Sequence, residues 1–244
     1  MITILIPTLN EKKNISILCK LLLSNKLSNK IISKIIFIDD NSQDGSIKEL
    51  KIMSIKFEKV NFIIRKNIKK DLTQSILLGL KEVNTEYICV MDGDLQHDIN
   101  AIPIFYNSII KNGCDLIVGS RYLKNHSLNE LKLYRKVISK TATTLCIFLG
   151  IKNISDPLSG YFLIKTSLFK SISKKITTNG YKILITILFL LNNGIRFKEI
   201  QVNFYERKHG FSKLNLKVIF NFLLQVIKLL IFRYQTISKK EYKN

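Results

Sequence analysis

The chain has little with which to do covalent chemistry. Its three histidines, His97, His126 and His209, stand in no Ser/His/Asp or Cys/His arrangement, which argues against a nucleophile activated by a neighbouring base. Cys19, Cys89, Cys114 and Cys146 form no C-x-x-C pair and have no histidine at ligand spacing. That excludes a zinc-finger framework and leaves reduced, structural thiols as the expectation. Acids are scarce: 18 Asp and Glu stand against 39 Lys and Arg, a formal charge of +21 spread along the whole sequence. RNA-binding signatures and basic patches interleaved with aromatics are missing, so nucleic acid is not an expected partner. An anionic membrane or a phosphate ligand fits the same charge, and so does a compositional bias toward Ile, Lys and Asn. Long apolar runs are absent too: Asn221, Gln225 and Lys228 interrupt the greasiest stretch well short of the roughly 20 residues a bilayer crossing needs. Met1–Pro7 lacks a basic flank and a cleavage site, and reads as a first strand.

What is present is alternation. Ile2–Ile6, Lys34–Ile38, Asn61–Ile64, Tyr87–Met91 and Leu116–Val118 are short β-branched runs separated by helix-compatible stretches. They predict an α/β fold, a mostly parallel twisted sheet with helices on both faces, its core drawn from the first half of the chain. At 244 residues and 46% apolar composition, a single domain over residues 1–214 is expected. Helical patterns also cover Leu128–Leu149 and Gly180–Leu191, with a turn at Asp156–Phe162. Residues 215–244 read as an amphipathic helix and basic tail; Lys213, Lys217, Lys228, Arg233, Lys239 and Lys240 point to a membrane surface, and packing on the domain's own core is the competing reading.

Ligands of such sheets gather beyond the carboxyl ends of the strands. There the sequence places Pro7-Thr8-Leu9-Asn10-Glu11, Asp39-Asp40-Asn41-Ser42-Gln43-Asp44-Gly45-Ser46 and Asp92-Gly93-Asp94-Leu95-Gln96-His97, three acidic tips on one edge. Two carboxylates on a glycine turn suit a hard cation such as Mg²⁺ or Mn²⁺, although Asp-x-Asp alone is more often a solvated turn.

These tips, with Gly119-Ser120-Arg121-Tyr122, Asp156-Pro157-Leu158-Ser159-Gly160-Tyr161-Phe162, Gly180-Tyr181-Lys182-Ile183-Leu184 and the Arg207/Gly210/Ser212-Lys213-Leu214 segment, resemble the dolichol-phosphate mannose synthase group of family-2 glycosyltransferases over nearly the entire chain. The resemblance implies a GT-A-type nucleotide-sugar-binding domain. Pro7, Thr8, Asn10, Glu11, Asp39, Asp40, Asp92 and Gln96 would bind the nucleotide-sugar, and Asp92, Asp94 and Gln96 the Mg²⁺ or Mn²⁺. Asp94, Arg121 and Arg207 would be catalytic; Arg121, Arg135, Ser159, Arg207 and Lys213 would hold the acceptor phosphate, with Asp156 near the sugar or acceptor. The implied reaction moves a sugar with inversion, mannose from GDP-mannose being favoured over a UDP-sugar, to a polyprenyl monophosphate. A peripheral protein at the cytoplasmic face of a membrane, alone or with a separate membrane-anchoring protein, would follow.

The absence of a base fits that chemistry. A phosphate monoester is largely ionised at neutral pH, its second pKa being about 6, and needs no proton removed. A cation held by carboxylates stabilises charge building on a departing diphosphate. Two positions depart from the pattern: Thr186 stands where similar enzymes carry an acid, and Asp71-Leu72 replaces Gly-Leu. Two other classes compete, a non-catalytic α/β module of receiver type and a charge-driven nucleic-acid binder.

Overall fold

The computed structural model describes residues 1–66, 69–123, 144–176, 180, 182–191, 194–207 and 216–241, with the side chains of the last segment described over 220–233. Arg135, His126, His209 and Lys213, the expected helix before residue 144, and the 214/215 boundary lie outside these residues.

All five expected strands form: β1 (Ile2–Thr8), β2 (Ile32–Asp39), β3 (Val60–Ile64), β4 (Tyr87–Val90) and β5 (Leu116–Ser120). Two more complete the sheet, β6 (Phe162–Lys165) and β7 (Phe197–Gln201), in the order β3-β2-β1-β4-β6-β5-β7. Every pairing is parallel except those of β6, which runs antiparallel between β4 and β5. β1 therefore has β2 on one side and β4 on the other, and the carboxyl ends of β1 and β4 flank the point where strand order reverses. Crevices form there because the chains leaving the two strands diverge to opposite faces.

The helices follow from local chemistry. α1 (Lys12–Ser24) buries Ile15, Leu18, Cys19 and Leu22, one stripe at helical spacing. α2 (Lys26–Ile31) starts where the Asn25 side chain accepts from the Ser28 amide. α3 (Ser46–Lys56) begins after Gly45, whose φ of 92° only glycine adopts without strain. α4 (Leu72–Lys81) is capped by Asp71, whose carboxylate accepts from the Gln74 amide. That gives the unexpected Asp71 a role, since such a cap contributes about 1 kcal/mol. α5 (Ala101–Lys111), α6 (Thr166–Ser173) and α7 (Ile183–Leu191) complete the cover.

The core is not confined to the first half of the chain. One apolar cluster joins β1, β2 and β4 to α1 and α5 around Phe37 and Phe105. The cluster on the other face draws on Phe162, Phe169, Ile172, Leu184 and Ile187 as well as Leu5, Ile38 and Ile76. A sheet buried on both faces needs two layers, and the second half supplies most of one. The four cysteines are free and buried.

The terminal helix, α8 (Leu216–Glu241), packs one side on the domain's own core and leaves an apolar side exposed. Gln225, Val226 and Leu229 are buried, and Phe222, Val226 and Leu229 pack on the second cluster. Phe220, Leu223, Leu224, Ile227, Leu230 and Ile231 form an outward apolar row, each at least 38% exposed. Among the described residues, no helix is long and apolar enough to cross a membrane.

Candidate active site

The first two tips are knit together by their own polar groups. Asp39 is fully buried and accepts from the Ser42 amide and hydroxyl and from Thr8 Oγ1. Asn10, with φ at 56°, donates its amide to Ser42 Oγ and receives the Gln43 amide on Oδ1. Glu11 is buried, takes Asn14 Nδ2 at 2.6 Å, and donates its amide to Ser46 Oγ. Pro7 lies half-buried one residue before the end of β1. Asp40 pairs with the buried Arg65 guanidinium and also accepts from Ser75 Oγ and the Asp71 amide. Arg65 was not legible as a site residue, and Asp71 again proves structural: its amide closes this network.

The third tip meets the first. A Cβ on Gly93 would stand 3.1 Å from Thr8 Cγ2 and 3.9 Å from Glu11 Cγ, so the Asp92-Gly93-Asp94 turn lies directly against the end of β1. The Asp94 side chain is 7% exposed and the Asp92 side chain 39%. Burial, followed by the charge of Asp92, raises the Asp94 pKa. Two repelling carboxylates at one turn are the arrangement a divalent cation relieves.

Among the described residues no group of three or more His, Cys, Asp or Glu is placed to hold a metal ion. An Mg²⁺ or Mn²⁺ held by one or two carboxylates, with phosphate and water filling its remaining positions, fits such a donor set. Asp92 and Asp94 would hold it. The Gln96 side chain lies beside them: Nε2 donates to Tyr205 O, and Oε1 accepts from Nε of the same Arg207 guanidinium that reaches Asp94, at 2.9 Å.

Cations from beyond β5 lie against this turn. Arg207 Nη2 reaches Asp94 Oδ2 at 2.8 Å. Arg121 donates Nε and Nη2 to the two oxygens of Asp156, at 2.7 and 2.8 Å, and its guanidinium lies 5.1 and 5.3 Å from the Tyr122 and Phe204 rings. Burial works against the Arg121 charge, but the Asp156 carboxylate outweighs it and raises the pKa. Ser159 spends its hydroxyl on Gly119 O and receives the Tyr161 amide, which stitches the 156–160 turn to β5.

Two residues within the quoted motifs take places that spacing did not reveal. His97 stacks on Tyr161 at 4.7 Å and accepts the Asp92 amide on Nδ1. Burial lowers its pKa to about 4, so it is neutral and its other nitrogen, 3.7 Å from Asp92 Oδ2, carries the proton. Lys182 donates to Leu158 O at 3.0 Å, and its pKa is lowered, first by burial and then by Arg121, against the opposing pull of Asp92, Asp156 and Asp94.

The model of the family described as "Glycosyl transferase family 2" matches residues 3–173. The chain belongs to that family. It is a glycosyltransferase, which sets aside the receiver-type and nucleic-acid readings of the sequence. Among its relatives, the dolichol-phosphate mannosyltransferase of Saccharomyces cerevisiae is 32% identical over 241 residues, covering 95% of this chain and 88% of that one. The Pyrococcus furiosus protein of the same name is 32% identical over 94% of this chain, which spans only 63% of the archaeal protein's length. The GT-A-type fold is shared with glucosyl-3-phosphoglycerate synthase from Mycobacterium tuberculosis, solved with Mn²⁺, UDP and glucosyl-3-phosphoglycerate (TM-score 0.70, 16% identity, 96% of this chain and 79% of that one).

Proposed function

We propose that this glycosyltransferase moves a hexose, mannose from GDP-mannose before glucose or an amino sugar from a UDP donor, onto a polyprenyl monophosphate at a membrane surface. One observation carries the reading: the carboxylate pair at the β4 tip lies among half-buried cations, Arg121, Lys182 and Arg207, with no Ser/His/Asp or Cys/His arrangement beside them among the described residues. A metal-bound diphosphate suits the carboxylates, and an ionised phosphate suits the cations. The names of the yeast and archaeal relatives support the acceptor and the sugar.

In the reaction, the bond from the sugar carbon to the diphosphate oxygen breaks and its electron pair leaves with the diphosphate. A lone pair on an acceptor phosphate oxygen forms the new bond from the opposite face, which inverts that carbon. No proton is removed, because the nucleophile is already an anion. A divalent cation on Asp92 and Asp94 would supply charge stabilisation for the departing diphosphate. His97 holds the Asp92 side of the turn, and Arg121 and Arg207 offset the repulsion between two anionic reactants. The outward row of α8 adds a lipid-facing element: six large apolar side chains lie beside Lys228 and Arg233, the composition of an interfacial helix.

The test is incubation of the full chain with labelled GDP-mannose or UDP-glucose, Mg²⁺ or Mn²⁺ and a short-chain polyprenyl phosphate in vesicles. Transfer of label to lipid is expected from one donor. Label released only to water, or passed only to a soluble phosphorylated acceptor, would overturn the reading.

A further inference from the structure

Gln225 is the anomaly of the terminal helix. On a helix with an apolar outer row, this amide is turned inward and is 2% exposed. Its Nε2 donates to Lys182 O at 3.0 Å and to Thr186 Oγ1 at 2.9 Å. Its Oε1 lies 2.5 Å from where a Cβ on Gly180 would stand, so any larger residue there would displace the amide. Burying an amide is costly unless it is bonded, and a helix that needed only to dock would place a leucine at this position. Gly180 is pinned from the other side, since its carbonyl accepts both the amide and the hydroxyl of Thr73, at 3.1 and 2.8 Å, at the start of α4. Thr186 and the Lys182 carbonyl thus receive the helix.

What this corner carries is Lys182. The ammonium has three donors, and its hydrogen bond is to a single main-chain carbonyl. Asp92, Asp94 and Asp156 act on its charge, yet among the described residues none approaches within the 4.0 Å of an ion pair. A half-buried cation without a carboxylate in ion-pair range keeps donors to spare, and a phosphate oxygen completes it.

We propose that Gln225 is a positioning residue, which latches α8 to the Gly180–Lys182 corner and so sets the Lys182 ammonium to receive a phosphate oxygen. This rests on the proposed function in taking the ligand to be a phosphate of the acceptor or of the donor. Seating of α8 and occupancy of the phosphate site are then linked, because one amide bonds both elements.

Binding of farnesyl phosphate and, separately, of GDP or UDP with Mn²⁺ is measured by calorimetry on the full chain, for wild type, Lys182→Gln, Gln225→Leu and the double variant. Lys182→Gln is expected to weaken one of these ligands about tenfold or more, the loss of one charge-assisted hydrogen bond. Gln225→Leu should weaken the same ligand by roughly fivefold, and should add less than about twofold on top of Lys182→Gln, since coupled residues are not additive. The ligand affected tells acceptor from donor. Equal losses from Gln225→Leu with and without Lys182, or no loss on either ligand, would overturn the latch. Thr186→Val, which removes one of the two bonds and leaves α8 its apolar packing, gives the same comparison should Gln225→Leu fail to fold. Sugar transfer by the wild type is followed in parallel. Coupled binding without transfer would refute the proposed function and leave the latch standing; transfer with additive variants would refute the latch alone.

Discussion

Gly160→Ala separates placement of the metal carboxylates from stability of the fold. An ideal Cβ on Gly160 would stand 3.0 and 3.2 Å from the two carboxylate oxygens of Asp92 and 3.3 Å from its Cγ. Ordinary contact begins near about 3.5 Å, so something must yield by about half an ångström. Gly160 does not have a positive φ, and the Asp92 side chain is 39% exposed, so the carboxylate swings away and the backbone stays. Stability should change by less than about 1 kcal/mol, the unfolded chain losing some entropy with alanine, which leaves the thermal midpoint within about 2 °C. Catalysis is less tolerant. A displacement of about 1 Å in a reacting constellation costs about 100-fold, so half of that should cost about tenfold, or about 1.4 kcal/mol of barrier. Initial rates across an Mn²⁺ titration, beside a melting curve, read both quantities. A wild-type rate with unchanged Mn²⁺ half-saturation would refute the reasoning, and so would a midpoint lowered by more than about 5 °C.

The remaining perturbations address different parts of the molecule. Asp94→Asn should lower transfer by about 100-fold or more, since it removes a metal oxygen and the partner of Arg207, and turnover within tenfold of wild type would remove the metal assignment. Asp40→Asn leaves the Arg65 guanidinium, 3% exposed, without its carboxylate, and should cost about 3 kcal/mol and about 6 °C in midpoint; a shift under 2 °C would show that the network carries little. His97 should make stability pH-dependent. Its folded pKa, about 4, lies below the ordinary 6.5, so only the unfolded chain binds the proton between those values. Stability is then complete above about pH 6.5 and falls by about 3 kcal/mol as the pH drops to 4. His97→Phe should flatten that limb of the denaturation profile, and an unchanged slope would assign it to other groups.

The five strands of the parallel core were legible because each is a short β-branched run, and four of them are buried on both faces, β3 at the edge being only partly covered. β6 and β7 were not. β6 is four residues following directly on a turn, too short for its period to declare itself. β7, Phe-Lys-Glu-Ile-Gln at the sheet edge, has two apolar residues and both are only half-buried. The site was legible as a set of motifs and not as a set of contacts. Spacing brought Asp39 and Asp40 to the right edge of the sheet, but it could not say that Ser42 and Arg65 occupy their carboxylates. Lys182 and His97 stood in the quoted motifs without roles, since what distinguishes them is burial and a partner distant in sequence. The periodicity of α8 left open which side meets protein, and Gln225 turns inward, away from the exposed Lys228, to Lys182 and Thr186, 43 and 39 residues upstream.

The charges of the site make a further argument for what enters it. Around the neutral His97, the described residues place three carboxylates, Asp92, Asp94 and Asp156, among three cations, Arg121, Arg207 and Lys182. Their sum is near zero, in contrast to the formal +21 of the whole sequence. A diphosphate arriving alone would bring uncompensated negative charge into partly buried surroundings, where neighbouring charges are poorly screened. With a divalent cation it enters as a nearly neutral unit, and the ionised acceptor then meets cations not yet spent on neutralising the donor. The cations are also held differently. Arg121 is fixed by two bonds to a carboxylate that is 1% exposed, whereas Arg207 leans on Asp94, whose charge a metal would share. Sharing that charge loosens the attraction holding Arg207, which makes its guanidinium the one whose hold depends on whether the donor has bound.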